Sequence, residues 1–325
     1  MSLPEPGEHG GDARLVASSL GLDPGSVLDL SVSLNPFAPD LAPVVGRHLA
    51  TTLGRYPDRL DLERARAGLA AVLSVDPARV LVTNGGAEAI ALVAAELERG
   101  WVEEPEFSLY ARHLAALEGS APRFRSDPHN PSGRLAAHDE RAEVWDEAFY
   151  PLSTGRWSAP GRHRSSVVLG SLTKVLACPG LRVGYVVVPP DDGAALGRPG
   201  LMARLERRQP AWSVSPLALA CLPELLELAD VTDWAPRIAA ARRDLVSVLR
   251  AHGYEPSPSD ANFVLVPGAA GLRSDLAGEG VVVRDCASFG LPDQVRIAVP
   301  DEGGLERLDR ALSTRADGHP VGSTR

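Results

Sequence analysis

The chain of 325 residues contains one lysine, Lys174, against thirty-two arginines. Arginine serves wherever a solvated positive charge is enough, but its guanidinium stays protonated and cannot attack a carbon. A lone lysine among arginines is therefore a candidate nucleophilic amine, a Schiff-base former. Cysteine is nearly as scarce. Cys178, Cys221 and Cys286 are odd in number and widely spaced, which fits neither a disulfide framework nor a zinc site and points to a reducing cytoplasm. Positive charge is not in excess: the net charge of −9 argues against nucleic acid or an anionic membrane as main partner. No basic-then-apolar leader opens the chain, and no apolar run is long enough to span a bilayer, so the expected location is the cytoplasm.

What is present reads as an α/β protein with a core of ordinary size, since apolar residues make up 44% and charged residues 23%. Valine-rich runs, "VLVTN", "EVWDEAF", "SVVLGSLT" and "VGYVVVP", predict strands buried on both faces of a mostly parallel sheet. "LDLERARAGLAAVLSV" has helical spacing, and "VLVTNGGAEAIALVAAELERG" predicts strand, glycine turn and helix. Residues 216–252 predict a long helical stretch with a proline-bearing break near Trp234. "NFVLV", "VVVRD" and "VRIAV" predict strands of a smaller α+β domain. The expected division is an arm and part of the small domain at 1–47, a large domain at 48–228, and the rest of the small domain at 229–325 with a disordered tail after about 315.

Around Lys174 stand Ser171, Thr173 and, in "PGLRVGY", Arg182, a set suited to a phosphate held beside the lysine. The Gly85-Gly86-Ala87 turn before a helix would add backbone N–H groups and the positive helix end, although such a turn alone is a weak signal. Asp146, at the end of "VWD", could hold a pyridinium N–H or simply cap a helix. Asn130 in "HNPSG" is a ligand candidate or a turn residue before proline.

Taken in order, Asn-Pro-Ser-Gly, Asp-Glu-Ala-Phe, Ser-Leu-Thr-Lys and Gly-Leu-Arg-Val-Gly-Tyr resemble the fold-type I pyridoxal 5′-phosphate enzymes of the class I/II aminotransferase family, over nearly the whole chain. The four asparagines, Asn35, Asn84, Asn130 and Asn262, each fall in a segment that looks like a family motif. The resemblance implies pyridoxal phosphate bound to Lys174, Asn130 at its phenolic oxygen and Asp146 at its ring nitrogen. Ser171, Thr173 and Arg182, with the Gly86 and Ala87 amides, would hold its phosphate. Tyr56 in "RYPD" would reach the phosphate of the partner subunit, which implies a homodimer, and Phe107 or Tyr110 would cover the ring unless these aromatics only pack the core. No metal is implied.

Three further stretches resemble the threonine-phosphate decarboxylase branch, which acts on a small phosphorylated amino acid in cobalamin biosynthesis. They are "EHGGDARLVASSLGLDPGSVLDLSVSLNP", "RRQPAWSVSPLALA" and "VVVRDCASFGLPDQVRIAV". This resemblance implies His9, Gly10, Ser33, Asn35, Arg284 and Arg296 as substrate-binding residues, with Arg296 gripping the carboxylate and Arg284, with His9, the phosphate. Arg284 also fits an ordinary surface arginine. Ser33 departs from the branch, which usually shows asparagine there. Stretches are missing between "EFSLY" and "HNPSG" and between "NPSG" and "DEAF", so the large domain should be trimmed. Histidinol-phosphate-like transamination shares the lysine, the aspartate and the carboxylate arginine. A shortened protein that only binds the cofactor is the reading outside catalysis.

Overall fold

The computed structural model describes residues 3–7, 9–190 and 200–318, in two compact units. One comprises residues 1–36, 131–134 and 237–325; the other comprises 37–130 and 135–236. Along the chain the first elements are α1 (Ala13–Leu20), β1 (Leu28–Leu30), α2 (Ala42–Thr52), α3 (Arg59–Leu73), β2 (Val80–Asn84) and α4 (Gly85–Leu97). Next come β3 (Arg99–Val102), α5 (Leu109–His113), β4 (Ala116–Leu117), β5 (Arg123–Ser126), β6 (Val144–Asp146) and α6 (Tyr150–Thr154). Then follow β7 (Val167–Ser171), α7 (Leu172–Val175), β8 (Val183–Val187), α8 (Leu201–Arg208), α9 (Pro216–Glu227) and α10 (Val231–Ala251). The last are β9 (Phe263–Val266), α11 (Leu272–Gly278), β10 (Val281–Asp285), β11 (Val295–Ala298) and α12 (Glu302–Gly318). The tail expected after Arg315 thus begins inside α12, and residues 319–325 lie outside the described residues.

The second unit holds a seven-stranded sheet in the order β2-β8-β7-β6-β5-β3-β4. It is parallel except for β8, which runs antiparallel to both β2 and β7. All five residues of β7 and of β8 are buried, which is why these strands read as unbroken apolar runs. Between the parallel neighbours β5 and β6 the chain crosses over through 127–143 without an α-helix, where such crossovers usually carry one. The first unit holds a four-stranded sheet, β1-β10-β11-β9, with β1 and β10 parallel and the other pairs antiparallel. Val264, Val266, Val281, Val283, Val295 and Ile297 form its core with Leu245, Leu249 and Leu308.

The helical stretch at 216–252 divides at 228–230, upstream of Trp234, and proline does not make the break. Asp230 does, because its carboxylate accepts hydrogen bonds from the Asp233 N–H at 3.0 Å and the Thr232 hydroxyl at 2.7 Å, capping α10. Pro223 and Pro236 lie inside the two helices.

Candidate active site

Three strands of the second unit deliver the chemistry at their C-terminal ends. β2 ends at Asn84 and turns through Gly85, whose φ of +76° is a left-handed conformation that favours glycine, directly into α4. The thirteen-residue helix α4 thus begins with the amides of Gly85, Gly86 and Ala87, where an anion is favoured. A Cβ on Gly85 would lie 2.6 Å from the Arg182 guanidinium, and one on Gly86 would lie 3.2 Å from the Ser171 side chain. The helix start, the end of β7 and the arginine before β8 therefore converge on one small space. The Ser171 and Thr173 hydroxyls bond each other at 2.8 Å, both buried, and Lys174 follows in α7, half-buried.

Asp146 ends β6, whose register sets it opposite Leu169 of β7. Its carboxylate accepts the Ala148 N–H at 2.9 Å and the Tyr110 hydroxyl at 2.9 Å. Burial raises its pKa, and these two hydrogen bonds oppose the rise. Tyr110 is itself buried, and burial followed by the neighbouring Asp146 charge raises its phenol well above the usual value. Its hydroxyl is thus committed to Asp146, while the half-buried Phe107 meets the Tyr110 ring edge-on with centroids 5.8 Å apart. Asn130 is buried, and its backbone N–H donates to the Ser126 hydroxyl at 2.8 Å. Tyr56 stands apart on the surface, 72% exposed, with its ring 4.6 Å from that of exposed Trp212.

An amine, a half-buried carboxylate, helix-start amides, a hydroxyl pair and an arginine form a donor set that suits a pyridine ring carrying an aldehyde and a phosphate. Lys174 would hold the aldehyde carbon, Asp146 the ring nitrogen, and Ser171, Arg182 and the Gly86 and Ala87 amides the phosphate.

The remaining predicted residues belong to the first unit, where β1, β10 and β11 lie side by side. Arg284 and Arg296 sit directly opposite each other across the β10–β11 pair, both buried. Their guanidinium carbons lie over aromatic rings, Arg284 at 5.2 Å from Phe289 and Arg296 at 4.6 Å from Phe263. Arg284 also donates to the Ser288 hydroxyl at 3.0 Å. Burial, and then the Arg284 charge, lower the Arg296 pKa to about 9, so both remain cations at neutral pH. The arm docks beside them. Gly11 N–H donates to the Ser31 hydroxyl at 2.8 Å, and Ser31 in turn donates to Asp29 at 2.6 Å. His9 is exposed, Gly10 half-buried, and Ser33 and Asn35 buried. Asn262 donates to the Ser33 and Leu34 carbonyls at 3.0 and 3.2 Å, fixing that loop.

Sequence reading passed over the Asp12–Arg273 ion pair at 2.6 Å, which anchors the arm, and the Tyr110–Asp146 bond. It also passed over Ser126 and Glu106.

A parallel-centred sheet that delivers a lysine, an aspartate and a helix-start anion cradle at its strand ends defines a pyridoxal phosphate enzyme of fold type I. The chain belongs to the class I and II aminotransferase family, whose model matches residues 124–312, and it takes pyridoxal 5′-phosphate as cofactor. It is 31% identical to the threonine-phosphate decarboxylase of Salmonella typhimurium, over 94% of this chain and 95% of that protein. It is 29% identical to the histidinol-phosphate aminotransferase of Halorubrum lacusprofundi, over 93% of each. The structure of a histidinol-phosphate aminotransferase from Sinorhizobium meliloti, in complex with pyridoxal-5′-phosphate, shares the fold with a TM-score of 0.78. That likeness is at 16% identity and covers 94% of this chain and 95% of the other. No helix among the described residues is long and apolar enough to cross a membrane.

Proposed function

We propose that this enzyme decarboxylates O-phospho-L-threonine to 1-aminopropan-2-ol phosphate, a step of cobalamin biosynthesis. The observation that carries this reading is the buried Arg284–Arg296 pair with the arm docked beside it. Two guanidinium groups side by side suit a ligand with two anionic groups, and phosphothreonine carries both a carboxylate and a phosphate. Arg296 is assigned to the carboxylate, a bidentate task, and Arg284 with His9 to the phosphate. Gly10, Ser33 and Asn35 are assigned to the walls of the same site.

Bound pyridoxal phosphate supplies an electron sink for the Cα bond that breaks. Asp146 keeps the ring nitrogen protonated, Asn130 holds the phenolic oxygen, and Phe107 covers the ring. Ser171, Thr173, Arg182 and the Gly86 and Ala87 amides hold the phosphate. In decarboxylation the Cα–carboxylate bond breaks, carbon dioxide leaves, and Lys174 delivers the proton that Cα takes in its place. Were the Cα–H bond the one presented for cleavage, Lys174 would instead remove a proton and the outcome would be transamination. Histidinol-phosphate transamination is therefore the second reading, supported by the 29% identical aminotransferase. The reading also includes a cytoplasmic homodimer, because exposed Tyr56 is assigned to the partner's cofactor phosphate.

The test is turnover by the purified enzyme. Phosphothreonine should release carbon dioxide and yield the amino alcohol phosphate with no keto-acid acceptor present. Efficient turnover of histidinol phosphate with 2-oxoglutarate, with phosphothreonine left intact, transfers the assignment to the aminotransferase.

A further inference from the structure

In the first unit, α10 and the chain that follows it enclose an open cavity of about 530 Å³, lined by no residue assigned to cofactor or substrate. Helical spacing sets Arg242, Arg243 and Arg250 on one face of α10, and Arg134 joins them in the lining. The opposite wall exists because β9 is an edge strand of the small sheet. Residues 255–259 cover that edge: the Ser257 N–H donates to the Leu265 carbonyl at 2.8 Å, and the Ser259 hydroxyl to the Phe263 carbonyl at 2.6 Å. Val246, Pro256 and Pro258 add apolar lining, and no carboxylate lines the cavity among the described residues.

The arginines are only partly neutralised. Arg250 Nε lies 3.2 Å from Glu255, and Arg134 Nε lies 3.9 Å from Asp260. Arg242 is anchored instead by carbonyls, its Nη1 donating to Asp260 at 3.0 Å and to Ala261 at 2.8 Å. The exposed Arg243 guanidinium has no ion pair or hydrogen bond among the described residues. Burial lowers the Arg242 pKa, the Asp260 charge opposes that, and the Arg243 charge adds to it, but a guanidinium stays protonated at neutral pH. Four cations thus meet two carboxylates, on a chain whose net charge is −9. Such a local reversal of sign draws anions, and the carbonyl-anchored Arg242 lowers the cost of ordering a donor when one arrives.

Residues 243 and 250 are separated by a rise of about 10 Å along the helix, so the charges form a row. A row of guanidinium forks suits several linked phosphates better than a single one, because each fork takes phosphate oxygens in pairs. We propose that this cavity is a binding site for a chain of linked phosphates, with Arg134, Arg242, Arg243 and Arg250 as its donors. Inorganic triphosphate and nucleoside triphosphates share that chemistry, and Val246, Pro256 and Pro258 would give the nucleoside an apolar wall. The site does not depend on which reaction the enzyme catalyses.

Isothermal titration calorimetry of the enzyme loaded with pyridoxal phosphate tests this with two probes, inorganic triphosphate and ATP, at low salt and without divalent metal. Triphosphate should bind the wild type, and more weakly as sodium chloride is raised. Arg243→Glu should weaken it by about tenfold or more, since a charge-assisted bond is lost and a repulsion gained. Position 243 is exposed, so this variant should unfold at the wild-type temperature. ATP binding more tightly than triphosphate supports the site with a nucleotide as occupant; equal affinities support it with the phosphate chain alone as the recognised part. The other anion sites of the protein are separated by Arg284→Met, which should leave triphosphate affinity unchanged. No binding to the wild type, or binding that Arg284→Met abolishes and Arg243→Glu leaves intact, overturns the proposal.

Discussion

Arg284 and Arg296 face each other across an antiparallel strand pair, 3% and 6% exposed, so that two guanidinium groups share one buried face of the small sheet. Like charges directly opposite in a sheet destabilise it, and burial sharpens the penalty. If the pair binds the substrate's anions as proposed, it trades some folding stability for anion affinity.

Replacing one partner should expose that trade. Arg284→Met keeps the aliphatic length over Phe289 and removes one charge, so thermal unfolding should show a gain of roughly 1 kcal/mol. The same variant should lose about 2–5 kcal/mol of transition-state binding for phosphothreonine, read as a fall in kcat/KM of roughly 30-fold or more. Inorganic phosphate should stabilise the wild type more than the variant. A variant that is both less stable and fully active contradicts the assignment.

Gly85 tests the cofactor cradle. Alanine there meets a left-handed φ of +76°, at a cost of roughly 1–2 kcal/mol, and its Cβ would sit 2.6 Å from the Arg182 guanidinium. Gly85→Ala should weaken pyridoxal phosphate binding by about tenfold or more, which is 1.4 kcal/mol, in a fluorescence titration. Gly46→Ala, whose Cβ meets nothing within 4 Å, serves as control. Equal affinity in the two variants would show that Arg182 does not form the cradle.

The parts of this site legible in the sequence are those whose signal is local. Lys174 stood out by composition, and "VLVTNGGAEA" spelled a strand, a left-handed turn and a helix start within ten residues. The Arg284–Arg296 relationship was not legible, because it depends on the β10–β11 register, although each arginine was singled out separately. The Tyr110–Asp146 bond spans thirty-six residues of sequence and two non-adjacent elements. β3 was absorbed into the helix before it, since α4 ends at Leu97 and the strand begins at Arg99. The single linking residue, Glu98, takes a φ of +64°, a turn that sequence assigns to glycine rather than glutamate.

Glu106 also predicts a pH dependence of folding for the cofactor-free protein. Its folded pKa, about 7, lies above its ordinary value of 4.5, so the native state binds more protons than the unfolded chain between those values. Stability from this group is therefore complete below about 4.5 and is lost as pH rises through about 7. At about 1.4 kcal/mol per pKa unit the loss amounts to a few kcal/mol. Denaturant unfolding across that window should show the decline in wild type and a flatter profile in Glu106→Gln. An identical slope in both would mean that another group, Glu147 being the nearest in pKa, dominates.

The arm allows the decarboxylase assignment to be probed without disturbing the cofactor. Deleting it outright would also remove Asp12 and leave buried Arg273 without its carboxylate, confounding function with stability. Gly10→Ala is the cleaner cut: the position has a φ of +72°, and a Cβ would lie 2.7 Å from the Ser31 carbonyl oxygen, a backbone atom that cannot step aside. Alanine should therefore displace His9 and the Gly11–Ser31 hydrogen bond while the Asp12–Arg273 pair at 2.6 Å holds the following helix in place. If His9 helps to bind the substrate phosphate, kcat/KM for phosphothreonine should fall by about 10- to 100-fold, equivalent to roughly 1.4–2.8 kcal/mol. Pyridoxal phosphate affinity should stay unchanged, because every residue assigned to the cofactor lies between 56 and 182. Gly7→Ala, with nothing within 4 Å of its Cβ, should behave as wild type. A Gly10→Ala enzyme that retains wild-type turnover of phosphothreonine would remove the arm from the substrate site and leave the arginine pair to carry the specificity alone.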